Sequence, residues 1–532
     1  MRVTRWQRYW FAEGGRYASA IVRVAIASAI LLTLARLSSA PSTGDVPGAH
    51  TLYRPVGMWM LLGHTAPPHV VVQALWVIAW ITTSAMLLGL RTRTATAASF
   101  VSALALASLS YASGSTWSHQ YNVVFLAQCA FLGSHSGDVL SLDALILRLR
   151  GKPLFDRPRA YQWSLRLVQV AVAVMFACAA FHKIMHGHFT LRWALSDNLR
   201  HQLMVKFDLA GLTRPPLVDW LLDDPWKYRT VAVLNLISQA APLATVFLVR
   251  HPVWRALFGL FFVVETIALG LVVDLWNPWW LPLYAVFIDW DWLLRRRVVE
   301  TEPPPSWSPP RAARIWVLVF VVYDVLTAIV PGLDQRINTY PFSGFPMFSN
   351  VLAKPPYGGH SNYIVTGDHF EVVAKTPIDL PTQRWFDHSN RGMWNERDPD
   401  KLHRRLTAMW KQAERRYPGL ELQRVRLYVT MFEAPAYPAP AQFIPHPIAV
   451  LGELDADGTF RTMVGPYEPN KITLHAINVE GVGDAKLGYY KDDEPALLPF
   501  TGTLDGDPVY AVATTPDGTP WLVSSHADWR WQ

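Results

Sequence analysis

Lys183 closes the apolar run 165–184 and stands beside His182. A lysine at the end of such a run has two physical readings. Its aliphatic stem can lie along apolar surface and carry the ammonium out to water. Alternatively, the amine is held inside, where a low dielectric favours its neutral form and leaves it able to accept a proton. His119 opens another apolar run in Trp117-Ser-His-Gln-Tyr121. It reads either as a hydrogen-bonded interfacial histidine or as a partner of Lys183. Both residues fall at the outer ends of their runs, and so at one depth. A third constellation is His182-Lys-Ile-Met-His186-Gly-His188. Residues i and i+4 share a helix face, so His182 and His186, with His188, have the types for a metal site. Gly187 ends that helix and no second histidine box follows. Interfacial histidines are therefore the preferred reading, and no metal is expected.

Further ionisable groups lie inside apolar runs: Arg23, Arg166, Glu265, Asp289 and Asp324. Such groups are costly in a bilayer and are functional candidates by default. The preferred reading of Arg23 and Arg166 is pairing with carboxylates such as Glu265 or Asp324. Trp117, Tyr121 and Phe181 flank the His119 and Lys183 candidates, and aromatic walls suit a flat ring. An interfacial aromatic belt explains the same residues equally well. Cys129 and Cys178 read as small buried apolar residues.

The elements that must position these side chains follow from composition. Of 532 residues, 51% are hydrophobic and only 17% are charged, where a soluble domain carries about 25% charged. Disorder is excluded by 24 Trp, 24 Phe and 19 Tyr, and a disulfide scaffold by two Cys. Residues 1–333 hold 29 Lys and Arg against 17 Asp and Glu, whereas 334–532 hold 19 against 24. A basic, apolar first part is thus joined to a mildly acidic second part. Basic residues flanking apolar runs suit anionic lipid headgroups rather than nucleic acid. Crossing a bilayer takes about 20 apolar residues. About nine spans are expected, near 18–37, 69–90, 94–112, 119–137, 161–184, 230–250, 254–275, 278–294 and 313–333. The fourth and eighth are the weakest, the eighth carrying Pro278, Pro282, Asp289 and Asp291.

Lys and Arg in short loops set orientation. They gather in the N-terminal tail (Arg2, Arg5, Arg8, Arg16) and at Arg91 and Arg93. They recur at 148–159, at Arg250 and Arg255, and at 295–297 with Arg311 and Arg314. The opposite short loops hold only Arg54. This places the N-terminus in the cytoplasm and the second part outside. The loop 185–229 is basic on the outer side, but it is long and is expected to form helices of its own. No small-residue cleavage site follows the first run, which reads as a first anchor.

The chain divides into a transmembrane unit over 1–300, a Pro-rich linker with the last span over 301–333, and a β-rich extracytoplasmic domain over 334–532. The stretch Tyr340-Pro-Phe-Ser-Gly-Phe-Pro-Met-Phe-Ser349 is expected to lie at the outer interface. In the third unit 402–417 predicts one helix and 423–432 a strand. Hairpins are expected across Asp455-Ala-Asp-Gly458 (448–464) and Pro516-Asp-Gly518 (509–514 with 520–524). Asp455-Ala-Asp-Gly lacks the remaining ligands of a calcium loop and reads as a turn.

Several pieces come in a familiar order. Tyr53-Arg-Pro is followed by Trp117-Ser-His-Gln-Tyr121, then Ser141-Leu-Asp143, then Phe176-Ala-Cys-Ala-Ala-Phe-His-Lys-Ile184, and then Trp193. In this the chain resembles the vitamin K-dependent γ-carboxylase family, specifically its HTTM membrane domain, as a bacterial-type member, over roughly residues 15–295. The resemblance implies a lyase-type membrane enzyme. A lysine matching Lys183 deprotonates a reduced vitamin K or menaquinol hydroquinone. Oxygen converts the quinol to an epoxide through a strong base that removes a γ-proton from a protein glutamate. Carbon dioxide captures the carbanion. A histidine matching His119 stabilises the charged intermediates, and Trp117, Ser118, Tyr121, Phe181 and His182 are the implied quinone-binding set. The implied partners are the bilayer, the quinol and a peptide substrate on the outer face. The chain departs from the family in having His182 where animal members have Lys, Ser118 where they have Asn, and Glu265 in a helix that is often His-bearing. Quinol oxidation without carboxylation, or a non-catalytic membrane scaffold or carrier, are the alternatives.

Overall fold

The computed structural model describes residues 5–11, 15–37, 55–62, 67–113, 119–152, 160–207, 213–294, 310–330 and 340–342 of the helical part. In the second part it describes 362–374, 399–416, 421–434, 437–438, 441, 444–462, 473–475, 490–491, 494–495, 502–504, 507–514 and 520–524. Trp117, Ser118, Tyr53, Arg54, most of the Pro-rich linker and 343–349 lie outside the described residues.

The helices run α1 (Arg5–Phe11), α2 (Arg16–Leu37), α3 (His69–Leu88), α4 (Thr92–Ser113), α5 (Asn122–Ala130), α6 (Leu142–Leu149) and α7 (Gln162–His186). They continue as α8 (Arg192–Leu195), α9 (Asn198–Phe207), α10 (Pro216–Leu222), α11 (Pro225–Ala240), α12 (Pro252–Val273), α13 (Trp290–Leu293) and α14 (Arg311–Ile329). Six of them, α2, α3, α4, α7, α12 and α14, are long and apolar enough to cross a membrane. Exposed apolar side chains line α3 (Val70, Ile78, Ile81), α12 (Val253, Leu257) and α14 (Leu318). Faces of this kind suit acyl chains rather than water, and the protein is a helical membrane protein.

Three expected spans take other forms. Residues 119–137 fold as a 3-10 turn, His119–Tyr121, and the nine-residue α5, every residue of which is buried. Nine helical residues reach only about 14 Å, but the run as a whole returns along α4, from Tyr121 stacked on Tyr111 to His135 beside Arg93. Residues 278–294 become the 3-10 segment Leu281–Phe287 and the four-residue α13. Pro278 and Pro282 remove backbone donors there. The 230–250 run is α11, which passes into the 3-10 segment Ala241–Val246 at Pro242.

α7 is the central helix, packed against α5, α11, α14 and the 241–246 segment. Arg23 and Arg166 are buried, but neither pairs with Glu265 or Asp324 as expected. Arg23 donates to the carbonyls of Ser136 (2.6 Å) and Leu140 (2.5 Å). Arg166 donates to Gln169 (2.6 Å) and lies over the Tyr9 ring. Arg23 therefore ties α2 to the α5–α6 connection beside the α3–α4 turn. That turn is made by Gly89 in the left-handed region (φ +70°), and Asp143 caps α4 from outside by accepting from Arg91 N and Thr92 N, each at 2.8 Å.

The second part contains α15 (Pro399–Arg416) and strands β1 (Asn362–Ala374), β2 (Leu422–Ala434), β3 (Ile444–Asp455), β4 (Phe460–Thr462), β5 (Thr473–His475), β6 (Tyr490–Lys491), β7 (Glu494–Pro495), β8 (Gly502–Leu504), β9 (Asp507–Thr514) and β10 (Pro520–Ser524). An antiparallel sheet orders β1-β2-β3-β10-β9-β5, with β4 on β3 and β8 on β9. β1 was not among the expected strands. The β3–β4 turn closes with Gly458 N donating to Asp455 O (3.0 Å). Asp455 accepts from Arg424 (2.6 Å) and from Arg461, so its carboxylate is spent on two guanidinium groups. Although burial opposes its charge, these hydrogen bonds hold the carboxyl below its ordinary range.

Two sets of contacts join the parts. Tyr340 is buried against Tyr111 and Phe125, and Phe342 packs on Phe320 and Tyr323. Between the helices of the 185–229 segment, Arg214 donates to Ala441 O (2.6 Å) and Asp197 accepts from Tyr437 N (3.1 Å).

Candidate functional site

Lys183 lies on the last turn of α7, and its side chain is buried. It does not reach out to water. The reason is the course of the chain that follows. Gly187 N returns to Lys183 O (3.0 Å) and Phe189 N to Ile184 O (2.8 Å). His188 and Phe189, both at φ +57°, occupy the left-handed region. Each such residue costs on the order of 1–3 kcal/mol. The reversal brings α8 back so that the buried Trp193 ring lies 4.4 Å from the Lys183 amine, which sits over its face.

The other neighbours come from α11 and α12. Asn235 and Gln239 are four residues apart and share a helix face. Lys183 Nζ donates to Asn235 Oδ1 and to Gln239 Oε1, the latter at 3.0 Å. Behind these amides lies Glu265 of α12, also buried. It accepts from Asn235 Nδ2 (2.6 Å), Ser238 Oγ (2.5 Å) and Gln239 Nε2 (2.8 Å). Ammonium and carboxylate do not touch; two amides stand between them. A neutral Lys183 amine has two N–H groups for the two amide oxygens, which leaves its lone pair for a proton donor. Once protonated, the amine keeps both oxygens and gains the indole face. The arrangement thus accommodates both protonation states of one amine.

The remaining candidates are distributed differently. His182 is buried and its Nε2 lies 2.8 Å from Ala328 O on α14. His186 is its ring neighbour at 6.3 Å. Among the described residues no three His, Cys, Asp or Glu side chains form a group that could hold a metal ion. Phe181 is two residues from Lys183, a rotation of about 200° around the helix, and packs against Phe189. It is therefore not on the Lys183 face. Tyr121 is buried between Tyr111 and Trp279. Gln120 O accepts from Trp279 Nε1 (3.0 Å) and Trp280 Nε1 (2.7 Å). Trp280 meets Phe176 edge-on at 5.3 Å. Phe176 lies seven residues before Lys183 on the same face of α7, so this indole pair comes between the His119–Tyr121 turn and the Lys183 face, about 10 Å along the helix. The His119 side chain, Trp117 and Ser118 are outside the described residues.

Asn235, Ser238 and Gln239 do not stand out in the sequence, because they carry no charge and such side chains are common. The signal present was a polar stripe at i, i+3 and i+4 in an otherwise apolar helix. Asp197 does not stand out either. It accepts from Tyr228 (2.6 Å), Arg229 (2.9 Å) and Tyr437 N (3.1 Å). Burial opposes its charge, yet these donors hold the carboxyl below its ordinary value. Compared with family models, curated proteins and solved structures, the chain matches none.

Proposed function

We propose that this protein is a membrane enzyme in which Lys183 is the base that deprotonates a lipid-soluble hydroquinone. The observation that carries this reading is that Lys183, at the end of its span and within reach of an interface, is sealed inside by Trp193 and two amides. A lysine kept for solubility would extend to water. In the proposed step the quinol O–H bond breaks, its proton goes to the Nζ lone pair, and the electron pair stays on the quinol oxygen. A water-poor surrounding suits this, because water competes for the proton. The resemblance to the vitamin K-dependent γ-carboxylase family supports a naphthohydroquinone, vitamin K or menaquinol, as the substrate. It extends the reaction to oxygen, carbon dioxide and a protein glutamate, with His119 as the second catalytic group. On this reading the three segments outside the set of six helices complete about nine spans. The Arg-rich loops put the N-terminus in the cytoplasm of a bacterial inner membrane and the β-rich part outside. Reporter fusions after residue 333 are then active only outside the cytoplasm; activity confined to the cytoplasm overturns this orientation.

The test uses purified protein in lipid nanodiscs with menadiol and dissolved oxygen. Lys183→Ala abolishes quinol oxidation. Lys183→Arg fails as well, because a guanidinium stays protonated. Substantial turnover by Lys183→Arg overturns the base assignment. Mass spectrometry of exported proteins for carbon dioxide added to glutamate then separates carboxylation from quinol oxidation alone.

A further inference from the structure

Asn235 and Gln239 can each present either end to Lys183. An amide oxygen accepts and an amide NH2 donates. A carboxylate only accepts, so a charged Glu265 draws both NH2 groups to itself, at 2.6 and 2.8 Å. Both oxygens are thereby turned toward the amine. Ser238 Oγ fills the second carboxylate oxygen. Three donors thus converge on Glu265, and the ammonium of Lys183 reaches it only through the amides.

We infer that Glu265 is a positioning residue for Lys183: it fixes the direction of two amide dipoles and thereby the donor-accepting cradle that holds the amine. The inference rests on the reading of Lys183 as the base. Glu265 itself touches neither the amine nor a substrate; its effect passes through Asn235 and Gln239. In the neutral state the two oxygens take both N–H groups and hold the lone pair away from α11. After proton transfer the same oxygens receive the ammonium. A reversed amide would point a donor at a donor and displace the amine from its working geometry.

Glu265→Gln is nearly isosteric but offers one accepting oxygen to three donors. At least one amide is released to turn over. The expected result is a fall in kcat for menadiol oxidation of about 10–100-fold, the size of one lost charge-assisted hydrogen bond, with KM little changed. Glu265→Asp keeps a group that only accepts and can still draw the amide NH2 groups of Asn235 and Gln239, so E265D keeps at least about tenfold more kcat than E265Q. A merely structural role for Glu265 would lower the melting temperature without this difference in kcat. The outcomes separate cleanly. If Lys183→Ala still turns over, the base reading itself fails. If Lys183→Ala is dead but E265Q keeps the parent kcat, only the orienting role fails. If E265Q and E265D are equally slow, the orienting role also fails. Should E265Q not survive extraction, E265D decides alone, and an inactive but folded E265D overturns the inference.

Discussion

Lys183 and Glu265 are opposite groups held apart by amides, and their mutual dependence is measurable as stability. Lys183→Met keeps the volume but removes the donor to Asn235 Oδ1 and Gln239 Oε1, leaving Glu265 without the cation behind its amides. Breaking a buried pair by deleting one partner costs about 3–5 kcal/mol. Glu265→Gln alone frees one or more buried donors, at about 1–3 kcal/mol for each group left unmade. If the sites were independent, the double variant would lose the sum, about 4–8 kcal/mol. The geometry predicts otherwise. With both charges gone, the glutamine introduced at position 265 can pair with Asn235, Gln239 and Ser238, and the double should cost only about 1–3 kcal/mol. Between the midpoints, about 6 and about 2 kcal/mol, the coupling energy is then about 4 kcal/mol. The chain supplies its own probe. Its two cysteines, Cys129 on α5 and Cys178 on α7, are free and buried. A maleimide fluorophore reports their exposure as the bundle opens on heating. The double variant should melt above Lys183→Met. A double that melts at or below the additive expectation would refute the amide-mediated link between the two groups.

Two further outcomes follow from the contacts between the two parts and from the α3–α4 turn. The Asp197 carboxyl lies below its ordinary value in the folded protein, so its contribution is complete above about pH 3.9 and is lost as pH falls through the lowered value. Hydrogen exchange around Tyr437 should accelerate below about pH 4, and Asp197→Asn should accelerate it already at neutral pH; unchanged exchange in the variant would remove Asp197 as the docking point. Gly89→Ala forces a side chain into a left-handed position with its Cβ in collision with Ser141 Cβ, costing about 1–3 kcal/mol for the backbone alone, and thiol-probed melting equal to the parent would contradict the described turn.

Much of the architecture was written locally. Apolar runs near 20 residues fixed the six long helices, because each must satisfy its own backbone and bury or expose one continuous surface. Amphipathic spacing marked α15, and the Asp-Gly turn marked the β3–β4 hairpin. Run length alone could not show that the 119–137 run holds only nine residues of regular helix, all of them buried. It also could not fix the rotation of one helix against another. For that reason the sequence suggests carboxylate partners for Arg23 and Arg166, which instead hold backbone carbonyls and Gln169.

Sequence by itself therefore determined that an amine, Lys183, ends a membrane-length helix. Whether that amine meets water or the interior was left to the tertiary structure. The answer depends on two left-handed residues, His188 and Phe189, which fold Trp193 back over it. It depends equally on Asn235 and Gln239, which stand 52 and 56 residues away in the chain, and on Glu265 behind them. Local periodicity specifies which face of a helix is polar. Only the simultaneous packing of α7, α8, α11 and α12 specifies which polar faces meet, because that is a property of all four helices together.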